Sequence, residues 1–346
     1  MTEFHIKMIE LPAPKDEYES SYGVVTENAP IAELTEMIHR LHAEAIAMNG
    51  LVQQLGIAPL EEITAYAPAR LLTEVPSDQQ VKQYNNDHTQ SVAAYVVAIQ
   101  QELETVPIAE SDERFVYLPD IFKDHDVAVE FSESTFHEAC GKWAGKPREY
   151  WARESFATRL VVMGALLNTQ RNALFFEDAF RPVGVQEGLF KRRVAWTRAD
   201  HPDWTNDQII QEAKSKTAVK PRLASHKAGA AVDARLKDLE TGNILDFGHN
   251  YPDGGALVFP QTTFITKEQW LNRQRFQIAA GLSGLMLYVG EDWHISYGDN
   301  LASLAPDGHV DKNYVAKYGP IKDFDRQTGE ISQHYIGNEI DTTFDF

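Results

Sequence analysis

Alternating apolar and polar side chains predict a β-strand that begins just after Gly229. One face of this stretch carries Val232, Ala234 and Leu236, and the other carries Ala231, Asp233 and Arg235. Because successive side chains of a strand point to opposite sides of a sheet, we expect the apolar set on the core and Asp233 away from it. Gly229 also interrupts any helix that includes His226, so His226 is expected in the loop that enters the strand.

A second alternating stretch follows a turn at Gly290. Here Trp293, Ile295 and Tyr297 alternate with His294 and Ser296, which is again a strand pattern. If the two strands are neighbours, they present Asp233 and His294 on one face of the sheet. His226 and Glu291 would then come from the loops that enter these strands.

Apolar spacing predicts the remaining elements. Helices are expected at residues 31–55, 91–103, 149–167, 206–214 and 267–280, and Ser77 and Asp78 offer caps for the second. Strands are expected at 115–118 and 127–131, separated by a turn, and at 173–176. Pro182 is expected to open a helix that holds Gln186 and Phe190, and Lys191-Arg192-Arg193 to form a solvated turn.

These elements divide the chain into two parts. Residues 1–111 form a helical N-terminal extension whose role the sequence leaves open, with a Pro-punctuated arm at 1–30 and two helices that suggest a hairpin. Residues 112–346 form the main body, which ends after Gly319 in a polar, acidic loop or packing arm.

Composition narrows the class of protein. The 346 residues are 43% hydrophobic, which is ordinary for a soluble globular protein. The net charge is −19, and residues 1–110 hold 17 acidic against 5 basic side chains, or −12 of it. This charge argues against nucleic acid or an anionic membrane as a partner. The oligomeric state stays open.

The amino terminus and the cysteine content favour the cytoplasm. Residues 1–7 lack the basic start and apolar run of a signal peptide, and the most apolar window, residues 279–289, is too short to span a bilayer. The single Cys140 excludes an internal disulfide and is ordinary in a reducing compartment.

Two histidines and one aspartate are a ligand set that a catalytic zinc takes from protein, with a fourth coordination position left open. Glu291 lies three residues before His294 and has the chemistry of a general base. Each residue also has an ordinary interpretation, because a single histidine among twelve is more often a surface or core residue. Asp233 could form an ion pair with Arg235 and bind no metal, and Glu291 could be an acidic residue in a turn without a catalytic role.

Two other classes use similar ligands. Non-haem iron oxygenases bind iron through two histidines and a carboxylate, but the six-residue gap between His226 and Asp233, and the presence of Glu291, disfavour that class. A non-catalytic metal-binding protein is also compatible with the ligands. Glu291 and Arg181 argue against it, since neither is needed to hold a metal.

The motif His226-x-x-Gly229-x-Ala231-x-Asp233, followed by Glu291-x-Trp293-His294, resembles the zinc peptidases of the D-alanyl-D-alanine dipeptidase and carboxypeptidase family. Asp178-Ala179-Phe180-Arg181-Pro182 is similar to a third element of that family, and the resemblance covers roughly residues 112–310. It implies one Zn²⁺ per chain, held by His226, Asp233 and His294. It further implies Glu291 as the base and Arg181 as the residue that stabilises the tetrahedral intermediate. The local alternative for Arg181 is an ion pair with Glu177 or Asp178.

One position departs from the family pattern. The family usually has Ser two residues before the first His, where this chain has Ala224, with Ser225 adjacent. We predict Ser225 as a substrate-binding residue. We also predict Asp253, in the turn at residues 251–255, as a partner for a substrate ammonium group.

The expected function is hydrolysis of D-alanyl-D-alanine-like dipeptides or peptide C-termini. A phage-type peptidase of the cell wall is the neighbouring alternative, although the acidic N-terminal extension is poorly suited to an anionic wall. The expected fold is α+β, with a small, mainly antiparallel sheet that bears the zinc site, helices on its other face, and the helical extension against this body.

Overall fold

The computed structural model describes residues 70–304 and 310–343. The predicted N-terminal arm and the predicted helix at residues 31–55 lie outside these ranges. The helices are α1 (Asp78–Leu103), α2 (Leu118–Asp124), α3 (Glu154–Thr169), α4 (Val185–Asp200), α5 (Asn206–Lys216) and α6 (Lys267–Leu282). The strands are β1 (Phe115–Tyr117), β2 (Val129–Phe131), β3 (Trp151–Arg153), β4 (Asn172–Asp178), β5 (Ala231–Asp238), β6 (Met286–Leu287), β7 (His294–Ser296), β8 (Ile321–Phe324) and β9 (Ile331–His334).

The central sheet has five strands in the order β2-β4-β5-β7-β6. Only the β2–β4 pair is parallel; β4–β5, β5–β7 and β6–β7 are antiparallel. Two further antiparallel pairs, β1–β3 and β8–β9, lie outside this sheet. The α+β class and the small, mainly antiparallel sheet that the sequence predicts are therefore confirmed.

Helices α3 and α6 cover one face of the central sheet. The alternation in β5 places Val232, Ala234 and Leu236 in the main core, where each is fully buried. The same core contains the stripe of α3 predicted from its spacing: Phe156, Leu160, Met163 and Leu167. Asp233 therefore faces away from α3 and α6, as expected from the period of a strand.

Helix α1 packs on the body of the protein. It begins at Asp78, and the Ser77 N–H donates to Gln80 Oε1 at 2.9 Å, so the predicted cap is in place. The Gln100 amide donates to the carbonyl of Lys214 in α5 at 3.0 Å. Near the other end of the helix, the Asn85 side chain accepts from the Leu257 N–H at 3.1 Å.

Three local predictions were wrong. The segment between β1 and β2 is helix α2, and the two strands belong to different sheets, because each finds its partner far along the chain. The predicted helix at 149–167 begins only at Glu154, since Trp151–Arg153 pairs with β1 as β3. Lys191-Arg192-Arg193 is a turn of α4, where Arg193 is buried and donates to the carbonyl of Pro252 at 2.9 Å.

The segment after Gly319 is an antiparallel hairpin, β8–β9, and not a loop. Its Phe324 ring stacks on Phe115 with 4.2 Å between centroids, and Ile321 is buried with them. The segment is mostly polar, so its few apolar residues did not predict a strand. These residues pack the segment against the body of the protein, as a packing arm.

Within the described ranges, no helix combines the length and apolar character that crossing a membrane would require.

Candidate metal centre

Strands β5 and β7 bring two of the predicted ligands together. The strands are antiparallel neighbours, and Asp233 is the register partner of His294. Directly opposed residues of an antiparallel pair project from the same face. Both side chains are buried on the face that α3 and α6 leave uncovered.

His226 reaches the same point from a short 3₁₀ turn, Ser225–Ala228. Gly229 ends this turn with a φ of +66°, a left-handed conformation that favours glycine. A Cβ at this position would also overlap the ring of Phe115. The chain can therefore pass from the turn into β5 within a few residues only because residue 229 has no side chain.

The three side chains converge on one point. His226 Nε2 lies 3.2 Å from His294 Nδ1 and 3.2 Å from Asp233 Oδ1, and His294 Nδ1 lies 3.1 Å from Asp233 Oδ1. In a tetrahedral zinc site with bonds of about 2.0–2.1 Å, neighbouring ligand atoms lie about 3.3–3.4 Å apart. The triangle thus fits a zinc-sized ion, and among the described residues it is the cluster that could hold a metal.

The tautomer of His226 suits a metal ligand. Its Nδ1 lies 2.7 Å from the carbonyl oxygen of Ala179. A carbonyl only accepts, so Nδ1 carries a proton, and Nε2, which faces Asp233 and His294, is the nitrogen that can bind a metal. A hydrogen bond of this kind at the far nitrogen is what fixes and orients metal-binding histidines.

Asp233 is held by both of its oxygens. Oδ1 faces the histidines, while Oδ2 accepts from Arg181 Nη2 at 2.8 Å and from the Tyr251 hydroxyl at 3.0 Å. Burial acts to raise the pKa of Asp233, but the field of His226, its hydrogen bonds and the charge of Arg181 outweigh this and hold the pKa well below its ordinary value. Asp233 is therefore an anion, as a metal ligand must be.

Glu291 lies beside this triangle in the loop before β7, and it is buried. Burial, and then the negative charge of Asp233, raise its pKa to about 7. A carboxylate with a pKa near the working pH is suited to accept and return a proton. The next residue, Asp292, anchors the loop through Arg273 at 3.0 Å and His249 at 2.8 Å.

Arg181 forms the local ion pair offered as its alternative and also contacts the ligand triangle. Its Nε donates to Asp178 at 2.9 Å, which is the local ion pair, and its Nη2 reaches Asp233. Its Nη1 donates to Gln186 at 3.2 Å, so three of its five N–H donors are used in these contacts. Glu177 pairs instead with Arg235, through Nε at 2.8 Å, so the predicted Asp233–Arg235 alternative does not form.

The sequence of the chain matches one family of known proteins. The sequence model of a family described as D-ala-D-ala dipeptidase matches residues 112–316, which is more than half of the chain. The chain belongs to this family. A search of curated proteins found no match.

Membership in the D-ala-D-ala dipeptidase family makes the chain a zinc-dependent peptidase, and hence a hydrolase with a peptide substrate. The match begins at residue 112. Helix α1 lies before the match, so any part that it plays at the site is an addition to the family domain.

Two predicted substrate-binding residues differ in their position relative to this centre. Ser225 is buried and lines a cavity of about 40 Å³, the Ser225 pocket, together with His226, Glu291 and His294. Asp253 is exposed, and its carboxylate accepts from the Asn250 N–H at 2.8 Å, which closes a local turn. Asp253 does not line the cavities described here.

Three supporting residues were not found from the sequence. Arg148 pairs with Asp178 at 2.6 Å, Tyr251 donates to Asp233, and Lys216 donates to the carbonyl of Gly290 at 2.7 Å. Each comes from a distant part of the chain, so no local spacing reveals it. The sequence suggested the turn at residues 251–255 as a rim of the pocket, but within that turn it pointed to a role only for Asp253 and not for Tyr251.

Proposed function

We propose that this protein is a zinc dipeptidase or carboxypeptidase that cleaves D-alanyl-D-alanine-like dipeptides or peptide C-termini. The observation that carries the proposal is the triangle of His226, Asp233 and His294, with edges of 3.1–3.2 Å and Glu291 beside it. We propose one Zn²⁺ per chain, held by these three side chains. Bound zinc would polarise the scissile carbonyl and acidify the attacking water.

The protein's own residues supply the proton transfers and part of the charge stabilisation. Glu291 would accept the proton of the attacking water and return it to the leaving amine, an effect worth about 10²–10⁴-fold. The two unused N–H donors of Arg181 would meet the oxyanion as it develops on the substrate carbonyl. One well-placed donor of this kind is worth about 3–4 kcal/mol.

Other assignments of the same centre are less well supported. An iron oxygenase could use the same ligands, but it has no use for a buried general base beside them, and the family match favours a zinc peptidase. A non-catalytic metal site would not need Arg181 on Asp233. A phage-type wall peptidase shares the proposed chemistry and differs only in its substrate.

The purified protein, loaded with zinc, tests this proposal against a panel of D,D-, L,D- and L,L-dipeptides, with and without a chelator. We expect D-alanyl-D-alanine to be cleaved, activity to be lost with chelator and restored by zinc, and metal content to fall in His226→Ala and Asp233→Ala. Full metal content in either variant would show that the ligands are misassigned. Cleavage of intact peptidoglycan but of no dipeptide would favour the wall peptidase.

We further propose that the protein acts in the cytoplasm and has neither nucleic acid nor a membrane as a partner, on the basis of its net charge of −19 and its single cysteine. Cell fractionation followed by immunodetection would test the location.

A further inference from the structure

A cavity large enough for a peptide lies next to the metal centre. This outer cavity has a volume of about 810 Å³ and is lined by Arg148, Arg192, Arg235 and Tyr251, among others. A narrower inner space of about 30 Å³ reaches Asp233 and Glu291. The two share Arg148, Arg192, Tyr251 and Pro252 as walls, and Tyr251 also touches Asp233.

The volumes of these spaces indicate which of them can hold an extended substrate. The inner space and the Ser225 pocket measure only about 30 and 40 Å³. Ligand sites that enclose larger molecules measure about 300–1,000 Å³. A substrate that extends beyond the two residues at the scissile bond would therefore occupy the outer cavity.

The walls of the inner space are mainly cationic. Five cationic side chains and three acidic ones line the inner space, although the whole chain carries a net charge of −19. A narrow cleft whose walls carry an excess of one sign of charge attracts the opposite charge. The local charge is thus opposite to that of the molecule as a whole.

Most of these cations already have a partner. Arg148 and Arg181 share Asp178, and Arg235 in the outer cavity pairs with Glu177. Arg192 lies over the ring of Trp196 at 4.5 Å, and within the described part of the chain no carboxylate contacts it. Burial, and then repulsion from Arg193, lower the pKa of Arg192 to about 10, which still leaves it charged at neutral pH.

We infer that Arg192 binds a carboxylate on the acyl part of the substrate, the part that precedes the scissile bond. The inference rests on the proposed function and deepens it, because it assigns the acyl part of that substrate to the outer cavity and leaves the Ser225 pocket, lined by a predicted substrate-binding residue, to the C-terminal residue. An arginine offers two parallel N–H donors that match a carboxylate. The preferred substrate is then a peptide with an acidic group ahead of its C-terminal dipeptide.

Three acylated dipeptides test this preference. N-succinyl- and N-glutaryl-D-alanyl-D-alanine carry a carboxylate at two distances from the scissile bond, and N-acetyl-D-alanyl-D-alanine carries none. For the wild-type zinc enzyme we expect at least one anionic compound to show a KM about tenfold or more below that of the acetyl compound, with similar kcat, since hydrogen bonds to charged groups are worth at least that factor.

Arg192→Gln should remove this preference, so that the KM values of the anionic compounds rise to that of the acetyl compound measured with the same variant. Lys191→Gln is the matched control, because Lys191 is the exposed neighbour on α4 and does not line either space. Arg192→Lys keeps the charge and should retain part of the preference. It also covers the case in which the Gln variant fails to fold, which thermal unfolding would reveal.

Calorimetric binding to the zinc-loaded Glu291→Gln background separates this inference from the proposed function. Tighter binding of an anionic compound without hydrolysis of any compound by the wild type would overturn the D-alanyl-D-alanine activity and support the role of Arg192. Equal binding of all three, binding of none, or a preference that survives in Arg192→Gln would overturn the inference.

Discussion

Glu291 is the residue whose role can be separated most cleanly from metal binding. It lies next to the ligand triangle but does not belong to it, and its buried carboxyl has a pKa raised to about 7. Glu291→Gln keeps the shape of the side chain and removes its ability to accept a proton. We expect full zinc content and a loss of about 10²-fold or more in turnover.

The measurement is turnover per bound zinc and per folded molecule. Glu240→Gln is the control, since Glu240 is an exposed carboxylate whose ion pair with Arg171 lies at the surface. Near-normal turnover in Glu291→Gln would remove the base from the mechanism. A loss of zinc in this variant would instead make Glu291 a ligand.

Asp178 supports the site through two arginines at once. It is fully buried and accepts from Arg148 at 2.6 Å and from Arg181 at 2.9 Å. Asp178→Asn removes the anion that pairs with Arg148 and one of the two that pair with Arg181, and removing one partner from a buried ion pair costs about 3–5 kcal/mol. We expect a loss of this size in the free energy of unfolding by urea, together with slower turnover as Arg181 loses its anchor.

The effect of Asp178 should depend on pH. Burial acts to raise its pKa, but Arg148 and Arg181 hold the pKa below its ordinary value. Its contribution to stability is therefore present above the ordinary pKa of about 3.9 and is lost as the pH falls through the lowered value. The wild type and Asp178→Asn should converge in stability at acid pH, and a constant difference down to the lowest pH would contradict the ion pairing.

At the residue scale, sequence could predict the parts of the site that lie on a local pattern. The alternation in β5 and β7 is enough to place Asp233 and His294 on one face. Arg148 and Tyr251 reach the centre only through the packing of distant segments, and no spacing encodes that. Arg192 was expected in a solvated turn because a basic run suggests a surface, whereas the helix directs it into a cleft.

At the element scale, the passage from the 3₁₀ turn into β5 depends on Gly229. Gly229→Ala adds a Cβ in a left-handed conformation and against the ring of Phe115. The conformation alone costs about 1–2 kcal/mol, and the overlap adds to it. We expect a lower melting temperature and weaker zinc binding, because His226 and Asp233 stand on either side of this glycine.

Gly242→Ala is the matched control. Gly242 has a φ of +74° but lies in open space, so it reports the conformational cost alone. A Gly229→Ala variant no less stable than Gly242→Ala, with unchanged zinc affinity, would show that the approach to Phe115 does not position the ligands.

Elements with a long periodic pattern were predictable, and those fixed by partners were not. The stripe of α3 and the faces of β5 are properties of their own sequence. Strand β3 was taken for helix because its pairing with β1 overrides local preference. The β8–β9 hairpin has too few apolar residues to be recognised before Phe115 and Phe180 are seen beneath it.

At the scale of the whole molecule, helix α1 completes a site that the family domain begins. Gln100 and Leu103 line the Ser225 pocket, although both precede residue 112. The Gln100 amide donates to the Tyr288 hydroxyl at 2.7 Å as well as to Lys214. The part of the extension that the structure describes is thus a wall of the Ser225 pocket, in which we place the C-terminal residue of the substrate.

This wall should set the size of the residue that is released. Gln100→Ala removes the side chain that closes the Ser225 pocket and leaves the metal ligands untouched. We expect kcat/KM to rise for D-alanyl-D-leucine relative to D-alanyl-D-alanine, because the larger side chain can enter the space that Gln100 vacates. Gln101→Ala is the control, because Gln101 is the exposed neighbour on α1. If both variants keep the wild-type ratio between the two dipeptides, α1 supports the fold without touching the substrate. If only Gln100→Ala changes the ratio, a helix outside the family domain determines the specificity of this enzyme.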